Sequence, residues 1–198
     1  MPEIRRILRD LPGLTVVTLE EAGLQPEPAE DDLEAYDTFE ENALSKARHF
    51  FERSGMPTVA DDSGIMVDAL QGAPGVRSKR FAPEATDMTG RDLDDANNRH
   101  LAATLSDVAV ERRTARYVCV AALVESDGDP LIVRAEAPGI ILDEPRGERG
   151  FGYDPYVLDP DIGKTFAEMT GEEKDARSHR GIAFRMLADR LRARLEPR

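Results

Sequence analysis

Two long apolar segments on either side of a tight turn constrain the fold of this chain more than any other feature. The segments lie near 113–125 and 130–137, and Asp127-Gly128 falls between them. Asp-Gly is a favoured pair in hairpin turns, and apolar runs rich in β-branched residues are typical of strands. We therefore predict a β-hairpin, so any sheet that the chain forms contains an antiparallel pair.

Helical patterns alternate with this hairpin. Phe39, Ala43, Ala47 and Phe50 recur at helical spacing, which predicts a helix over about 39–53 with one face in the core. Further helices are predicted over 2–10, 91–105 and from about 180 onward, and further strands over 14–19, 58–60 and 65–70. The alternation together with the hairpin predicts an α/β fold in which helices flank a mixed β-sheet.

Size and charge limit the classes of function. A chain of 198 residues fits one domain, or two small lobes that share a cleft. Its net charge of -13 disfavours binding to nucleic acid and to anionic membranes, and a polyphosphate substrate would need a metal ion to mask both partners. The chain has neither a bilayer-spanning apolar stretch nor a signal-peptide pattern, so we expect a soluble cytoplasmic protein. The single cysteine, Cys119, lies in an apolar run and is predicted to be buried.

The first candidate site is Asp61-Asp62-Ser63-Gly64, which follows an apolar strand. We expect the strand to break at this motif, and because successive strand residues point to opposite faces, we expect the two aspartates to diverge. Carboxylates and a hydroxyl at this place suit a magnesium ion or a general base that orients water. A simple Asp/Ser/Gly turn explains the motif equally well.

Glu41 has two interpretations. Thr38-Phe39-Glu40-Glu41 fits a capping box, in which Glu41 binds back to the backbone of Thr38. At about 100° per residue, Glu41 lies about 200° around the helix from Phe39, and so faces away from the apolar side. If one of the aspartates lies nearby, Glu41 becomes a metal ligand.

Two segments near the C-terminus suit a nucleobase. In Gly150-Phe151-Gly152-Tyr153-Asp154-Pro155, glycines permit close approach of a ligand and aromatic faces offer a stacking platform. The alternative is a tight loop with Phe151 buried. In Ser178-His179-Arg180-Gly181, two basic residues stand at a helix start, where their charge opposes the helix dipole. One interpretation is that their side chains donate hydrogen bonds to a purine edge or to phosphate. The other is that they are exposed surface charges.

Taken together, these segments resemble the family of nucleoside triphosphate pyrophosphatases that clear non-standard purines, the HAM1-like XTP/dITP diphosphatases. The similarity extends from about Glu3 to near the C-terminus, in the same order and spacing. The matching segments are 39–43, 60–64, 72–75, 97–98, 144–147, 150–155, 165–169 and 178–181.

The resemblance implies an elongated mixed α/β fold with two lobes around a substrate cleft, usually as a homodimer. It implies hydrolysis of ITP, dITP and XTP to nucleoside monophosphate and pyrophosphate, with Mg²⁺ as cofactor. By matching position, Asp62 is implied as general base and magnesium ligand, and Glu41 as a second ligand. The implied substrate contacts are Ser63, Phe151, Gly152, Tyr153, Asp154, Lys174, His179 and Arg180.

The chain departs from the family pattern at its front. Family members begin with an apolar strand and a Thr/Ser-Gly-Asn-x-x-Lys-like loop, whereas residues 2–8 resemble the helix that follows that loop. We therefore expect residues 1–198 to be a single, N-terminally incomplete domain. Two other functions remain open: a catalytically impaired nucleotide-binding protein, and a housecleaning pyrophosphatase for other modified nucleotides.

Overall fold

The computed structural model describes residues 2–9, 11, 13–85 and 87–195. The chain forms two compact units, each built from separate stretches of sequence. The first unit takes its residues from 1–62, 119–135 and 179–198, and the second from 63–118 and 136–178.

Five α-helices, five strands and five short 3₁₀ helices make up the regular structure of the described residues. The helices are α1 (Pro2–Leu8), α2 (Phe39–Ser54), α3 (Gly90–Thr104), α4 (Gly171–Arg177) and α5 (His179–Leu195). The strands are β1 (Thr58–Val67), β2 (Thr114–Val124), β3 (Leu131–Ile141), β4 (Val157–Asp159) and β5 (Lys164–Thr165). They form one sheet in the order β1-β2-β3-β4-β5, with β3–β4 and β4–β5 antiparallel.

The predicted hairpin is confirmed as β2 and β3, which are neighbours in the sheet. Buried and more exposed residues alternate along β3, as expected for a strand with one face in a core. β2 is buried along almost its whole length, which explains its continuous apolar sequence. The α/β class is therefore confirmed.

The predicted helix over 39–53 is confirmed as α2. Thr38 caps its start by accepting a hydrogen bond from the Glu41 amide, and Gly55 ends it in the left-handed conformation at a φ of 66°. The predicted core face is buried at Phe39, Ala43 and Ala47.

Two strand predictions are wrong. Residues 14–18 form no regular structure, because strand propensity without a pairing partner does not make a strand. The strand at Thr58 does not break at Asp61-Asp62-Ser63-Gly64 but continues to Val67 as β1. Pairing with β2 overrides the local turn preference of Asp, Ser and Gly. The short helix α4, which begins with a capping box of Thr170 and Glu173, was not predicted.

Each unit has its own apolar core. In the first, α1 and α5 pack against β2 and β3 around Phe184 and Leu187, and Cys119 is fully buried there as predicted. In the second, Phe166 and Tyr117 meet edge to face within a cluster that includes residues of β1 and α3. Within the described ranges, no helix is long and apolar enough to cross a membrane.

Candidate functional site

Asp62 is the buried carboxylate of the first unit. It lies on β1 and is 7% exposed. Its Oδ2 accepts a hydrogen bond from Asn42 Nδ2 at 3.0 Å, and its Oδ1 lies 3.4 Å from Lys46 Nζ. Asn42 and Lys46 are four residues apart and therefore share one face of α2. This helix face supplies an amide and an ammonium group to one carboxylate.

Opposing effects act on the pKa of Asp62. Burial raises it, because a carboxylate loses its hydration in the interior. The Lys46 ammonium and the Asn42 hydrogen bond lower it, while the negative charge of Glu34 raises it further. The net direction is upward, which is the direction that turns a carboxylate into a stronger base.

Lys46 is a site residue that the sequence analysis missed. Its Nζ lies 2.7 Å from Glu34 Oε1 as well as 3.4 Å from Asp62 Oδ1. One signal was available in the sequence, since Lys46 follows Asn42 at a spacing of four within the predicted helix. A cation beside a buried carboxylate also offers positive charge to any anionic group that binds nearby.

Asp61 has different partners from its neighbour, so the predicted divergence of the two aspartates is confirmed. Its Oδ2 accepts hydrogen bonds from Arg180 Nη2 and Nε at 3.0 Å and 3.2 Å, and Cys119 Sγ lies 3.8 Å away. Arg180 and the half-buried His179 open α5, as the sequence predicted. The guanidinium group of Arg180 is therefore engaged by Asp61.

Glu41 is exposed in the first turn of α2. Its carboxylate accepts a hydrogen bond from Thr38 Oγ1 at 2.7 Å, and its amide donates to the same hydroxyl at 3.2 Å. The carboxylate thus binds the cap's hydroxyl, and it keeps lone pairs open to solvent. The predicted capping box is therefore wrong in one half, because the Glu41 carboxylate binds the Thr38 hydroxyl and not the Thr38 backbone. Ser63 follows Asp62 on β1 and is half-buried.

Among the described residues, no group of three or more His, Cys, Asp or Glu side chains is arranged to hold a metal ion. Magnesium does not require such a group, because it keeps several waters and binds through one or two carboxylates plus substrate phosphates. The carboxylates of Asp62 and Glu41 are each a ligand of the type that this mode of binding uses.

The aromatic loop, residues 150–155, belongs to the second unit. Phe151 is 63% exposed, so the alternative in which this ring is buried is wrong. Asp154 is buried; its Oδ2 accepts from the Phe151 amide at 2.9 Å and its Oδ1 from Tyr117 Oη at 3.3 Å. Lys174 Nζ also binds Oδ2 and lies 5.0 Å from the centre of the Phe151 ring. Asp154 therefore holds the loop while one ring faces outward.

The first glycine of this loop has a steric reason. Gly150 has a φ of 81°, and a Cβ at that position would lie 2.0 Å from Asp154 Oδ2. Tyr153 is buried and donates from its hydroxyl to the Ser78 carbonyl at 2.7 Å. Burial raises the pKa of Tyr153 and of Tyr117, so both phenols stay protonated donors. Of the two aromatic residues in the loop, Phe151 is the one whose side chain is mostly exposed.

Comparison with known proteins gives a consistent result along almost the whole chain. A model of the Ham1 family matches residues 1–190. A dITP/XTP pyrophosphatase of Frankia alni is 49% identical over 192 residues, which cover 97% of this chain and 92% of the relative. A dITP/XTP pyrophosphatase of Escherichia coli O157:H7 is 45% identical, with 96% and 91% covered.

Solved structures agree with the sequence relatives. A HAM1 protein from Coxiella burnetii superposes with a TM-score of 0.82 at 37% identity, over 96% of this chain and 91% of that one. The Ham1 protein of Staphylococcus aureus gives a TM-score of 0.80 at 32% identity, over 98% and 93%.

Proposed function

This chain belongs to the Ham1 family, and on that basis we propose that it hydrolyses the non-standard purine nucleoside triphosphates dITP, XTP and ITP to nucleoside monophosphate and pyrophosphate. It is a hydrolase of nucleotide metabolism, and its activity removes these nucleotides from the cellular pool. The structural observation that carries the proposal is Asp62, a buried carboxylate with a raised pKa beside the ammonium group of Lys46.

In the proposed reaction, Asp62 is the general base. A water molecule attacks the α-phosphorus, its proton passes to the Asp62 carboxylate, and the bond from the α-phosphorus to the bridging oxygen breaks. Pyrophosphate leaves with that oxygen. Phosphoryl transfer depends mostly on positioning and on neutralising charge, and Lys46 supplies a positive charge within 3.4 Å of the base.

We propose Mg²⁺ as the cofactor, held by Asp62 and Glu41 together with the substrate phosphates. Bound there, the ion would neutralise phosphate charge. The acidity of the chain supports this, because a net charge of -13 opposes the approach of a triphosphate.

We propose that Phe151 stacks on the nucleobase of the substrate. The residues that shape this contact are Gly152, Tyr153 and Asp154 of the loop, and Lys174, which binds Asp154. Support comes from the exposure of the Phe151 ring and from the buried Asp154 carboxylate that holds its amide. Ser63, His179 and Arg180 are proposed as further substrate contacts, on the basis of their positions in the family pattern.

A nucleotide panel with product analysis tests the function. Phosphorus NMR on ITP, dITP, XTP, ATP, GTP and modified pyrimidine triphosphates distinguishes pyrophosphate from phosphate. A site that hydrogen-bonds a 6-oxo group can reject a mismatched analogue by about 10⁴ or more, so we expect ATP to be much poorer than ITP. Release of single phosphate would contradict the proposed reaction. Preference for modified pyrimidine triphosphates would favour the housecleaning pyrophosphatase for other modified nucleotides. Binding without turnover would favour the catalytically impaired nucleotide-binding protein.

We further propose a homodimer, on the basis of the family resemblance, and action in the cytoplasm, on the basis of the sequence. Light scattering coupled to size-exclusion chromatography tests the dimer, because a mass near 21.9 kDa would correspond to a monomer.

A further inference from the structure

Helix α3 holds both backbone polar groups of Gly152 in the aromatic loop. The Gly152 amide donates to Asp94 Oδ2 at 2.8 Å, and the Gly152 carbonyl accepts from Asn98 Nδ2 at 2.9 Å. Asp94 and Asn98 are four residues apart, so they share one face of α3. One helix face thus fixes the peptide groups on either side of this glycine.

Hydrogen bonds hold the backbone of Gly152, in addition to the packing of the buried residues Tyr153 and Asp154 that follow it. A Cβ added at Gly152 would meet nothing within 4 Å, so the space on that side of the residue is open. Phe151 precedes Gly152 and is 63% exposed, so burial does not orient its ring. The backbone that carries the ring is held at the Phe151 amide by Asp154 and at the following peptide by Asp94 and Asn98, and Lys174 Nζ lies 5.0 Å from the centre of the ring.

The side chain of Asn98 uses its nitrogen, Nδ2, for the contact with Gly152. The residue is buried, and within the described part of the chain its Oδ1 has no hydrogen-bond partner. An unsatisfied buried oxygen is destabilising, and such groups in native proteins often mark a functional demand. The adjacent Asn97 differs: it is equally buried, but it binds the backbone of residues 79–82.

We infer that Asp94 and Asn98 are positioning residues for base recognition, which fix Phe151 through the backbone of Gly152. The inference rests on the proposed function, in which Phe151 stacks on a purine. Loosening either contact lets the ring sample other directions, so binding of the base weakens while the chemistry at Asp62 is not directly touched.

Steady-state kinetics of pyrophosphate release from ITP test the inference. We expect Asp94→Ala and Asn98→Ala each to raise KM about five- to tenfold, the effect of losing one ordinary hydrogen bond. kcat should fall less than KM rises. Asp94→Asn keeps an acceptor oxygen and should stay within about twofold of the wild-type KM.

Two neighbouring residues of α3 provide matched controls. Asp95→Ala removes an exposed carboxylate, and Asn97→Ala removes a buried amide that serves residues 79–82. Neither should raise KM, although Asn97→Ala should lower the melting temperature. A KM increase in both controls equal to that of Asp94→Ala would overturn the inference, because it would reflect general damage to α3.

A double-mutant cycle with Phe151→Ala tests the route of the effect. Without the ring, Asp94→Ala should add less than about twofold to KM, because the two changes act on one contact. If Asp94→Ala retains its full effect in that background, then it does not act through Phe151 and the inference is wrong.

Calorimetric binding of inosine monophosphate separates this inference from the proposed reaction. If the wild type releases no pyrophosphate but binds the monophosphate with an affinity that falls in Asp94→Ala, the inference stands and the reaction fails. If the wild type releases pyrophosphate and the variants match it in KM and affinity, the reaction stands and the inference fails. If the wild type neither reacts nor binds, both fail.

Discussion

Asn42 donates a hydrogen bond from Nδ2 to Asp62 Oδ2 over 3.0 Å, and it does so while binding the backbone of Tyr36. Its Oδ1 accepts from the Tyr36 amide at 2.9 Å, and Nδ2 also donates to the Tyr36 carbonyl at 3.3 Å. One buried amide therefore ties the segment that enters α2 to the carboxylate on β1. The orientation of the Asp62 carboxylate is therefore set from α2 as well as from its own strand.

Replacing Asn42 should reduce both stability and turnover. Asn42→Ala leaves a buried carboxylate with one partner fewer, so we expect a loss of about 1–3 kcal/mol in the free energy of unfolding, measured by urea titration. kcat should fall as well, because the Asp62 carboxylate, the proposed general base, loses its fixed orientation. Asn97→Ala is the control, since Asn97 is another buried asparagine bonded to backbone. If both variants lower kcat equally, Asn42 has no special role.

Asp62→Asn should lose activity although the protein remains folded. Loss of a general base typically costs about 10² to 10⁴ in rate, and a weakened magnesium site adds to that. Near-normal turnover by a folded Asp62→Asn protein would contradict the assignment. Asp61→Asn should cost less activity, because the Asp61 side chain is paired with Arg180.

The stability of Asp62→Asn relative to wild type should also depend on pH, in a direction that the raised pKa fixes. Because the pKa of Asp62 is raised by folding, the folded state binds more protons than the unfolded state between the two pKa values. The contribution of Asp62 to stability therefore decreases as pH rises from about 4 through the folded-state pKa. Asn cannot ionise, so the stability of Asp62→Asn relative to wild type should increase from pH 4 to pH 7 in urea titrations. A difference that does not change with pH would contradict the raised pKa.

Lys46 and Glu34 should shift the acid limb of the pH–rate profile in opposite directions. Lys46 lowers the pKa of Asp62, whereas Glu34 raises it. Since a general base must be deprotonated, Lys46→Met should move the acid limb of kcat/KM to higher pH, and Glu34→Gln should move it to lower pH. Shifts in the same direction in both variants would show that Asp62 does not control this limb.

Glu41→Gln should distinguish a metal ligand from a helix cap. Gln can still accept the hydrogen bond from the Thr38 hydroxyl, so the melting temperature should hardly change. The magnesium concentration that gives half-maximal rate should rise, because an amide is a poor magnesium ligand. Glu40→Gln is the matched control, since Glu40 is the preceding residue and pairs with Arg134. A large fall in melting temperature with unchanged magnesium dependence would favour the cap alone.

A feature of the fold or of the site could be predicted from the sequence where a few neighbouring residues specify it. It could not be predicted where it depends on contacts between distant segments. The hairpin was predictable because Asp127-Gly128 specifies its turn within a few residues. The divergence of Asp61 and Asp62 follows from the two-residue period of a strand. The continuity of β1 was not predictable, because pairing with another strand overrode the turn preference of the motif.

The contacts that orient the site are the part that sequence reasoning did not reach. Lys46 meets Asp62 across 16 positions of sequence, and Asp94 meets Gly152 across 58. Such pairs exist only once helix and loop are packed, and no periodicity in one segment reports on them. Residue type and motif point to the candidate catalytic and binding residues, whereas the hydrogen-bond partners of those residues are visible only in three dimensions.

The exposed ring of Phe151 should contribute to substrate affinity and very little to folding. A base stacked on an aromatic side chain gains about 1–3 kcal/mol, which corresponds to about 5- to 150-fold in affinity. Phe151→Ala should therefore raise KM for ITP within that range and leave the melting temperature nearly unchanged, because the ring is mostly in solvent. Ile162→Ala removes another exposed apolar side chain of the same unit and should change neither quantity. If Phe151→Ala leaves KM unaltered, or if Ile162→Ala raises it equally, then the base does not stack on this ring and the aromatic loop has a different role.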